Sequence, residues 1–230
     1  MKIAHIADLH VRFGTRHKEI SEVFNRTIED FKKQKPDRVV IAGDLFHMKI
    51  NLSPNSIGVV SDFLVRLSEI CSVDIIAGNH DTNLQQAEQG DAITPILRLL
   101  ENGYIITKDM KKIPDVKNSI FFYRDSGFYE INEKVVYGVY SCLDNEIIKL
   151  ETIDSTKIYI ALYHGSMKGA RLDNGMLAMG EELIKPSTFN GFHIVMCGDL
   201  HECQTIQEYS EEIIEVDFEE KEKYSKKGFI

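Results

Sequence analysis

Apolar and polar residues follow two alternating periods over the first third of the chain. "KIAHIA" (2–7) is a short apolar run that stops at Asp8. Residues 17–34 place Ile20, Val23, Phe24, Thr27, Ile28 and Phe31 on one helical face, and Pro36 closes that helix. "RVVIA" (38–42) is a second strand and ends at Gly43-Asp44. "SPNSIGVVSDFLVRLSEI" (53–70) opens with a serine N-cap followed by proline, which predicts a second helix. "VDIIA" (73–77) is a third strand and runs into "GNHD". The order strand–helix–strand–helix–strand predicts right-handed parallel crossovers. Each strand then delivers a polar cluster at its C-terminal end, where open α/β sheets bind ligands.

The second half changes character. "YIIT", "SIFFY", "KVVYGVYS", "KIYIALYH" and "FHIVMCGD" are short, β-branched and aromatic, with little helical pattern between them. They predict a second sheet packed on the first. The expected fold is α/β, a four-layer α/β/β/α sandwich of two mixed sheets. No internal repeat or linker divides the chain, so residues 1–230 are read as one domain, long enough to bury a core without staples.

Composition narrows the class. Hydrophobic residues at 43% and charged residues at 27% suit a soluble globular protein. No stretch approaches the roughly 20 apolar residues of a membrane span, and "MKIAHIADLH" meets an acid too early for a signal-peptide core. Cys71, Cys142, Cys197 and Cys203 are scattered without a CxxC, and three of them sit in or beside apolar runs. A reduced, cytoplasmic setting with no membrane partner is expected. The net charge of −9 is concentrated in residues 201–230, whose nine acids and four lysines hold about half of the excess. That balance argues against a broad basic groove for nucleic acid. It leaves room for a phosphate substrate, because bound divalent metals would supply positive charge that the count omits.

Five polar clusters follow five apolar strands: "ADLH" (Asp8, His10), "GDLFH" (Asp44, His47), "GNHD" (Asn79, His80, Asp81), "YHG" (His164) and "GDLH" (Asp199, His201). Carboxylates, imidazoles and one amide suit first-row divalent metals with a mixed nitrogen and oxygen shell. In extended chain, residues i and i+2 point the same way, so Asp8 and His10 are expected to reach one ion together. Gly43 and Gly78 are expected to let the backbone turn sharply at the strand ends. One D-x-H or one GNHD is a weak signal; five clusters in this order are a strong one.

The set resembles the calcineurin-like metallophosphoesterases, whose motifs run D-x-H, G-D, G-N-H-[DE], H and G-H-x-H. Within them, "GDLFH" and the final motif followed by Glu202 are similar to the SbcD-type DNA-repair nuclease branch. The stretch "YSEEIIEVDFEEKEKYSKKGFI" carries the likeness to the end of the sequence, although it lacks the usual Pro-Gly. The resemblance implies a dinuclear site at the strand ends. One ion would be held by Asp8, His10, Asp44 and His201, and the other by Asp44, Asn79, His164 and Asp199, with Asp44 bridging. It implies in-line attack of hydroxide on phosphorus, with His80 contacting the phosphate and protonating the leaving oxygen. It also implies DNA as substrate, single strands or ends, and an SbcC-type coiled-coil ATPase and a second copy of the chain as partners. Family members continue into a smaller DNA-contacting domain and an ATPase-binding segment. Neither is seen here, so the metallophosphoesterase (nuclease) domain alone is expected.

Asp199 is the main departure, since it replaces the first histidine of G-H-x-H. An aspartate ligates Mn²⁺ or Mg²⁺ well and makes the site harder and richer in oxygen. Two ions against Asp8, Asp44 and Asp199 leave about one net positive charge rather than two, which lowers the polarising power of the site. The expectation is two divalent ions, Mn²⁺ first and Mg²⁺ second, with Asp199 as a working ligand. His47 either helps position a DNA end or caps the loop after Phe46. His5 and His193 are read as core or edge histidines, and His17 as a solvated helix start. Lys168, Arg171 and Arg124 are read as surface charge. A small-nucleotide phosphodiesterase or phosphoprotein phosphatase is the rival enzyme reading, and a catalytically quiet regulatory subunit is the third.

Overall fold

The computed structural model describes residues 1–12, 16–48, 52–82, 90–110, 113–172 and 175–200. His201 and the rest of the acidic C-terminal stretch lie outside the described residues.

The first sheet is built from β1 (Ile3–Ile6), β2 (Arg38–Ala42), β3 (Ser72–Ile76), β4 (Gly103–Ile106) and β5 (Ile120–Tyr123) in the order β1-β2-β3-β5-β4. All of its pairings are parallel. The second sheet runs β6-β7-β8-β9, from β6 (Gly127–Asn132), β7 (Val135–Tyr140), β8 (Ile158–His164) and β9 (Ile194–Gly198). Only its β6–β7 hairpin is antiparallel. The first sheet is therefore purely parallel and the second mixed. "YIIT" and "SIFFY" belong to the first sheet, not the second. β-Branched content marks a strand, but it does not say which sheet the strand joins.

Helices α1 (His17–Gln34) and α2 (Pro54–Ser68) cover the outer face of the first sheet, with the short α3 (Thr94–Leu97) beside them. α1 buries Phe24, Ile28 and Phe31, and the stacked rings of Phe24 and Phe63 join it to α2. α2 starts at a capping box in which Ser53 and Ser56 bond each other's backbone amides, with Pro54 in the first turn. Between the sheets, Val40, Ala42, Ile76, Phe121 and Tyr123 meet Val135, Tyr137, Val139, Ile160, Leu162 and Met196. The alternate residues of β7, β8 and β9 face outward onto Met167, Ala170, Phe189 and Phe192. Among the described residues, that outer layer is coil and a 3-10 turn (Pro186–Phe189) rather than an α-helix.

His5 shares the inward face of β1 with Ile3, and its Nε2 is buried without a hydrogen-bond partner among the described residues. Burial pushes its imidazole down from 6.5 to about 4. Unfolded chain therefore binds the extra proton between those values, so the contribution of His5 is intact above pH 6.5 and lost as pH falls towards 4. Between pH 7.5 and pH 5 the native protein is expected to lose about 2 kcal/mol relative to a His5→Phe variant, measured by urea unfolding. Parallel stability curves for the two proteins would contradict this assignment. Among the described residues, no helix is long and apolar enough to cross a membrane.

Candidate metal centre

β1, β2, β3, β8 and β9 all point their C-terminal ends at one edge of the sandwich, where β2 faces β8 and β9 and β3 faces β8. Backbone pairing between the first two strands continues past their formal ends. Asp8 N donates to Gly43 O (3.1 Å), His10 N to Asp44 O (2.9 Å), Val11 N to Leu45 O (3.0 Å) and His47 N to Val11 O (3.1 Å). The loops "DLH" and "GDLFH" are thus zipped side by side.

The D-x-H pair reaches the site by a different route from that expected. Asp8 and His10 have φ of 57° and 44°, and Asp44 and Asp199 have φ of 55° and 70°. These residues are left-handed, not extended. Asp and His are among the side chains that tolerate this region, and such conformations recur where a functional group must be aimed.

Asp8, Asp44 and His164 bring ligand atoms within 4.8 Å of one another. Asp44 lies at the centre and is 1% exposed. Its Oδ1 accepts from His80 N at 2.9 Å and lies 3.4 Å from His164 Nε2. Its Oδ2, 3.5 Å from His10 Nε2, is buried and has no hydrogen-bond partner among the described residues. Burial alone would raise the Asp44 carboxyl, but the hydrogen bond and charge of His164, the His80 amide and His10 together hold it below the usual range. His164 is the counterpart. Burial opposes its charge, yet Asp44 and the Ala42 carbonyl, which accepts from Nδ1 at 2.7 Å, push it up to about 9. With Nδ1 so engaged, Nε2 faces Asn79 Oδ1 at 3.2 Å. A buried carboxylate oxygen without a partner, facing imidazoles and an amide, is the donor chemistry of a divalent-metal site.

Glycine makes the close approach possible. A Cβ on Gly78 would fall 2.0 Å from Asp44 Oδ1, and one on Gly43, where φ is +87°, 2.3 Å from His164 Nδ1. Any larger residue would enter the cluster itself.

A second group, His10, His47 and His80, also places ring nitrogens within 4.8 Å. His10 Nε2, however, is the nitrogen turned towards Asp44 and Asp8, 3.9 Å from the Asp8 carboxylate. His80 Nδ1 donates to the backbone carbonyl of His47 at 2.5 Å, which leaves Nε2 as its other polar atom. The His47 ring stacks near His80, 20° from parallel with centroids 5.4 Å apart. The backbone carbonyl of residue 47 therefore orients His80 whatever side chain stands there.

Asp199 is tied to the site by its backbone, since its N–H reaches both carboxylate oxygens of Asp8 at 3.1 Å. Its carboxylate does not join the Asp8–Asp44–His164 cluster and instead accepts from Ser166 Oγ at 2.8 Å. Two positions escaped the sequence reading. Ser166 is one, and nothing in "HGS" marks it. The other is Asp81, which was named within its motif but given no task. Its fully buried carboxylate accepts from the backbone N–H groups of Leu45, Phe46 and Gly78 at 3.2, 3.0 and 3.0 Å, and so clamps the second and third strand-end loops together. Burial raises that carboxyl to about 6 against the opposing pull of the three amides. Its signal in the sequence was a carboxylate that no ligand count required.

A parallel sheet, a second sheet stacked on it, and carboxylates and imidazoles converging at the shared strand ends define a metal-dependent hydrolase scaffold. Residues 1–203 match the calcineurin-like phosphoesterase family, and the chain belongs to it. Phosphoester hydrolysis at divalent metals is the chemistry of that family. Uncharacterized protein R555 of Acanthamoeba polyphaga mimivirus is 35% identical over 218 residues, which is 90% of this chain and 15% of that protein. The SbcD subunit of the SbcCD nuclease of Staphylococcus epidermidis is 27% identical over 96% of this chain and 63% of its own length. The chain thus spans less than two thirds of these relatives. The crystal structure of Pseudomonas putida nuclease MPE gives a TM-score of 0.40 at 16% identity, over 76% of this chain and 66% of that one.

Proposed function

We propose that the chain is a Mn²⁺-dependent DNA nuclease that hydrolyses phosphodiester bonds in repair or recombination. The observation that carries the chemistry is the buried Asp44 carboxylate, with Oδ2 unpartnered among the described residues, set between Asp8, His10 and His164. Asp8, His10, Asp44 and His201 would hold one ion, and Asp44, Asn79, His164 and Asp199 the other. When bound, the ions supply Lewis-acid activation of water and of the phosphate. DNA as substrate, a coiled-coil ATPase partner and a dimer are supported by likeness to the SbcD subunit alone.

The residues divide the remaining work. His80 Nδ1–H is anchored to the His47 carbonyl, so Nε2 is the atom that delivers a proton to the leaving oxygen. The His80 amide on Asp44 Oδ1 fixes the distance between acid and ligand cluster. Asp81 keeps the loops carrying Asp44 and His80 in register through its three backbone contacts.

The test is metal content followed by Mn²⁺-dependent cleavage of linear and circular single-stranded DNA. His80→Ala is expected to keep both ions and lose about 10²- to 10⁴-fold in rate. Two bound ions without DNA cleavage, but with hydrolysis of a cyclic nucleotide or a phosphopeptide, would replace this reading with the small-substrate one, which the net charge of −9 favours. Bound metal with no turnover of any phosphoester would mean a regulatory subunit.

A further inference from the structure

We propose that Ser166 is a positioning residue for the second ion, because its hydroxyl holds Asp199 Oδ2 and so presents the other carboxylate oxygen as a single-oxygen ligand. The inference rests on the reading of Asp199 as a ligand and adds what makes an aspartate serviceable at that position.

The geometry of the two strand ends carries the argument. β8 and β9 pair in parallel up to His164 opposite Gly198, and Gly165 N then donates to Gly198 O at 3.4 Å, so the two chains leave the sheet together. Ser166 and Asp199 are the next residues out, and their side chains meet at 2.8 Å. Both are fixed from behind. The Ser166 carbonyl accepts from Tyr163 Oη at 3.2 Å, and Asp199 N–H is held by the Asp8 carboxylate at 3.1 Å. A Cβ on Gly198 would lie 2.4 Å from His164 Nδ1 and 2.0 Å from Ala42 O, so this corner closes directly onto the ligand cluster.

Chemistry gives the contact its purpose. An imidazole presents one nitrogen along a fixed ring direction, whereas a carboxylate carries two equivalent oxygens and rotates about Cβ–Cγ. Unrestrained, it can chelate through both oxygens or turn away. A neutral donor on Oδ2 removes that freedom without removing the charge. Hydrogen-bond partners of ligating groups commonly set metal affinity by about 10- to 100-fold. Small octahedral ions with few protein ligands favour one oxygen per carboxylate, while larger ions accept chelation.

The experiment is calorimetric titration of the full chain with Mn²⁺, comparing wild type, Ser166→Ala, Ser166→Thr and Asp199→Asn, with melting curves of each metal-free protein as a check on folding. Wild type is expected to bind two ions and Asp199→Asn to lose the weaker one. Ser166→Ala should weaken only that second event, by about 10- to 100-fold. Ser166→Thr, which keeps the hydroxyl, should stay within about threefold of wild type, a rescue that a purely structural role for the serine would not produce. If Asp199→Asn loses the second ion while Ser166→Ala binds both like wild type, the role of Ser166 is wrong and the ligand reading stands. If Asp199→Asn itself binds both ions normally, Asp199 is not a ligand and the two inferences fall together.

Discussion

Asp44→Asn is expected to bind neither ion at micromolar Mn²⁺ and to lose phosphodiester hydrolysis by at least about 10³-fold, or about 4 kcal/mol of barrier. Asparagine keeps the volume of the side chain, so the fold should persist and the loss can be read as chemistry. What changes is charge and donor sense. Oδ1 now accepts from His80 N and faces His164, while Oδ2 faces His10 with no hydrogen bond among the described residues. An amide supplies at most one neutral oxygen, and its NH₂ would point at an imidazole or at the ion position. Because Asp44 is the bridging ligand in the proposed site, both ions lose a shared anion at once. Single-ion ligands such as Asp8 or Asn79 should show milder, ion-specific losses. Metal content and hydrolysis of bis(p-nitrophenyl) phosphate measure the two effects separately. Retention of two ions, with activity within tenfold of wild type, would rule out a bridging role.

The sequence displayed the scaffold of this site better than its joinery. α1 and β2 occupy the residues their patterns marked, because an amphipathic face and an apolar run each have one sensible burial. β6 was not anticipated, since "GFYEIN" alternates only weakly and buries just Tyr129 fully. Asp8, His10, Asp44, Asn79, His80, His164 and Asp199 were legible as strand-end clusters, and their strands do end at one edge of the sandwich. His201 falls outside the described residues. The extended-chain argument for D-x-H was mistaken in its geometry, because backbone dihedrals at a strand end answer to the neighbouring loop, here residues 43–47. Ser166 and Asp81 could not be read at all as to role. Each acts on groups more than thirty residues away, and such a meeting exists only after folding.

The same lesson applies to a charge pair hidden inside two strands that read as apolar. Asp74 in β3 is fully buried between the sheets. It accepts from Arg38 Nε and Nη2 at 2.6 and 2.5 Å, from Tyr123 Oη at 3.0 Å and from Tyr137 Oη at 3.2 Å. Both carboxylate oxygens are thus satisfied, by a guanidinium and a hydroxyl each. The guanidinium also lies over the Phe121 ring, 5.3 Å from its centroid. Burial would push Arg38 towards losing its proton, but the hydrogen bonds and charge of Asp74 outweigh it and raise the group. Such a pair adds little over an apolar replacement, because desolvating two ions cancels most of their attraction. Breaking it is another matter. Asp74→Ala strands a cation and two phenols in the inter-sheet core, and is expected to cost about 3–5 kcal/mol. For a chain of this length that lowers Tm by roughly 10 °C. Arg38→Met combined with Asp74→Leu, Tyr123→Phe and Tyr137→Phe should recover much of the loss, since no polar group is then left unpaired. Thermal melts of the two variants decide the matter. If Asp74→Ala melted within a degree or two of wild type, the pair would be incidental to how β3 of the first sheet is fastened to β7 of the second, and the inter-sheet core would rest on apolar packing alone.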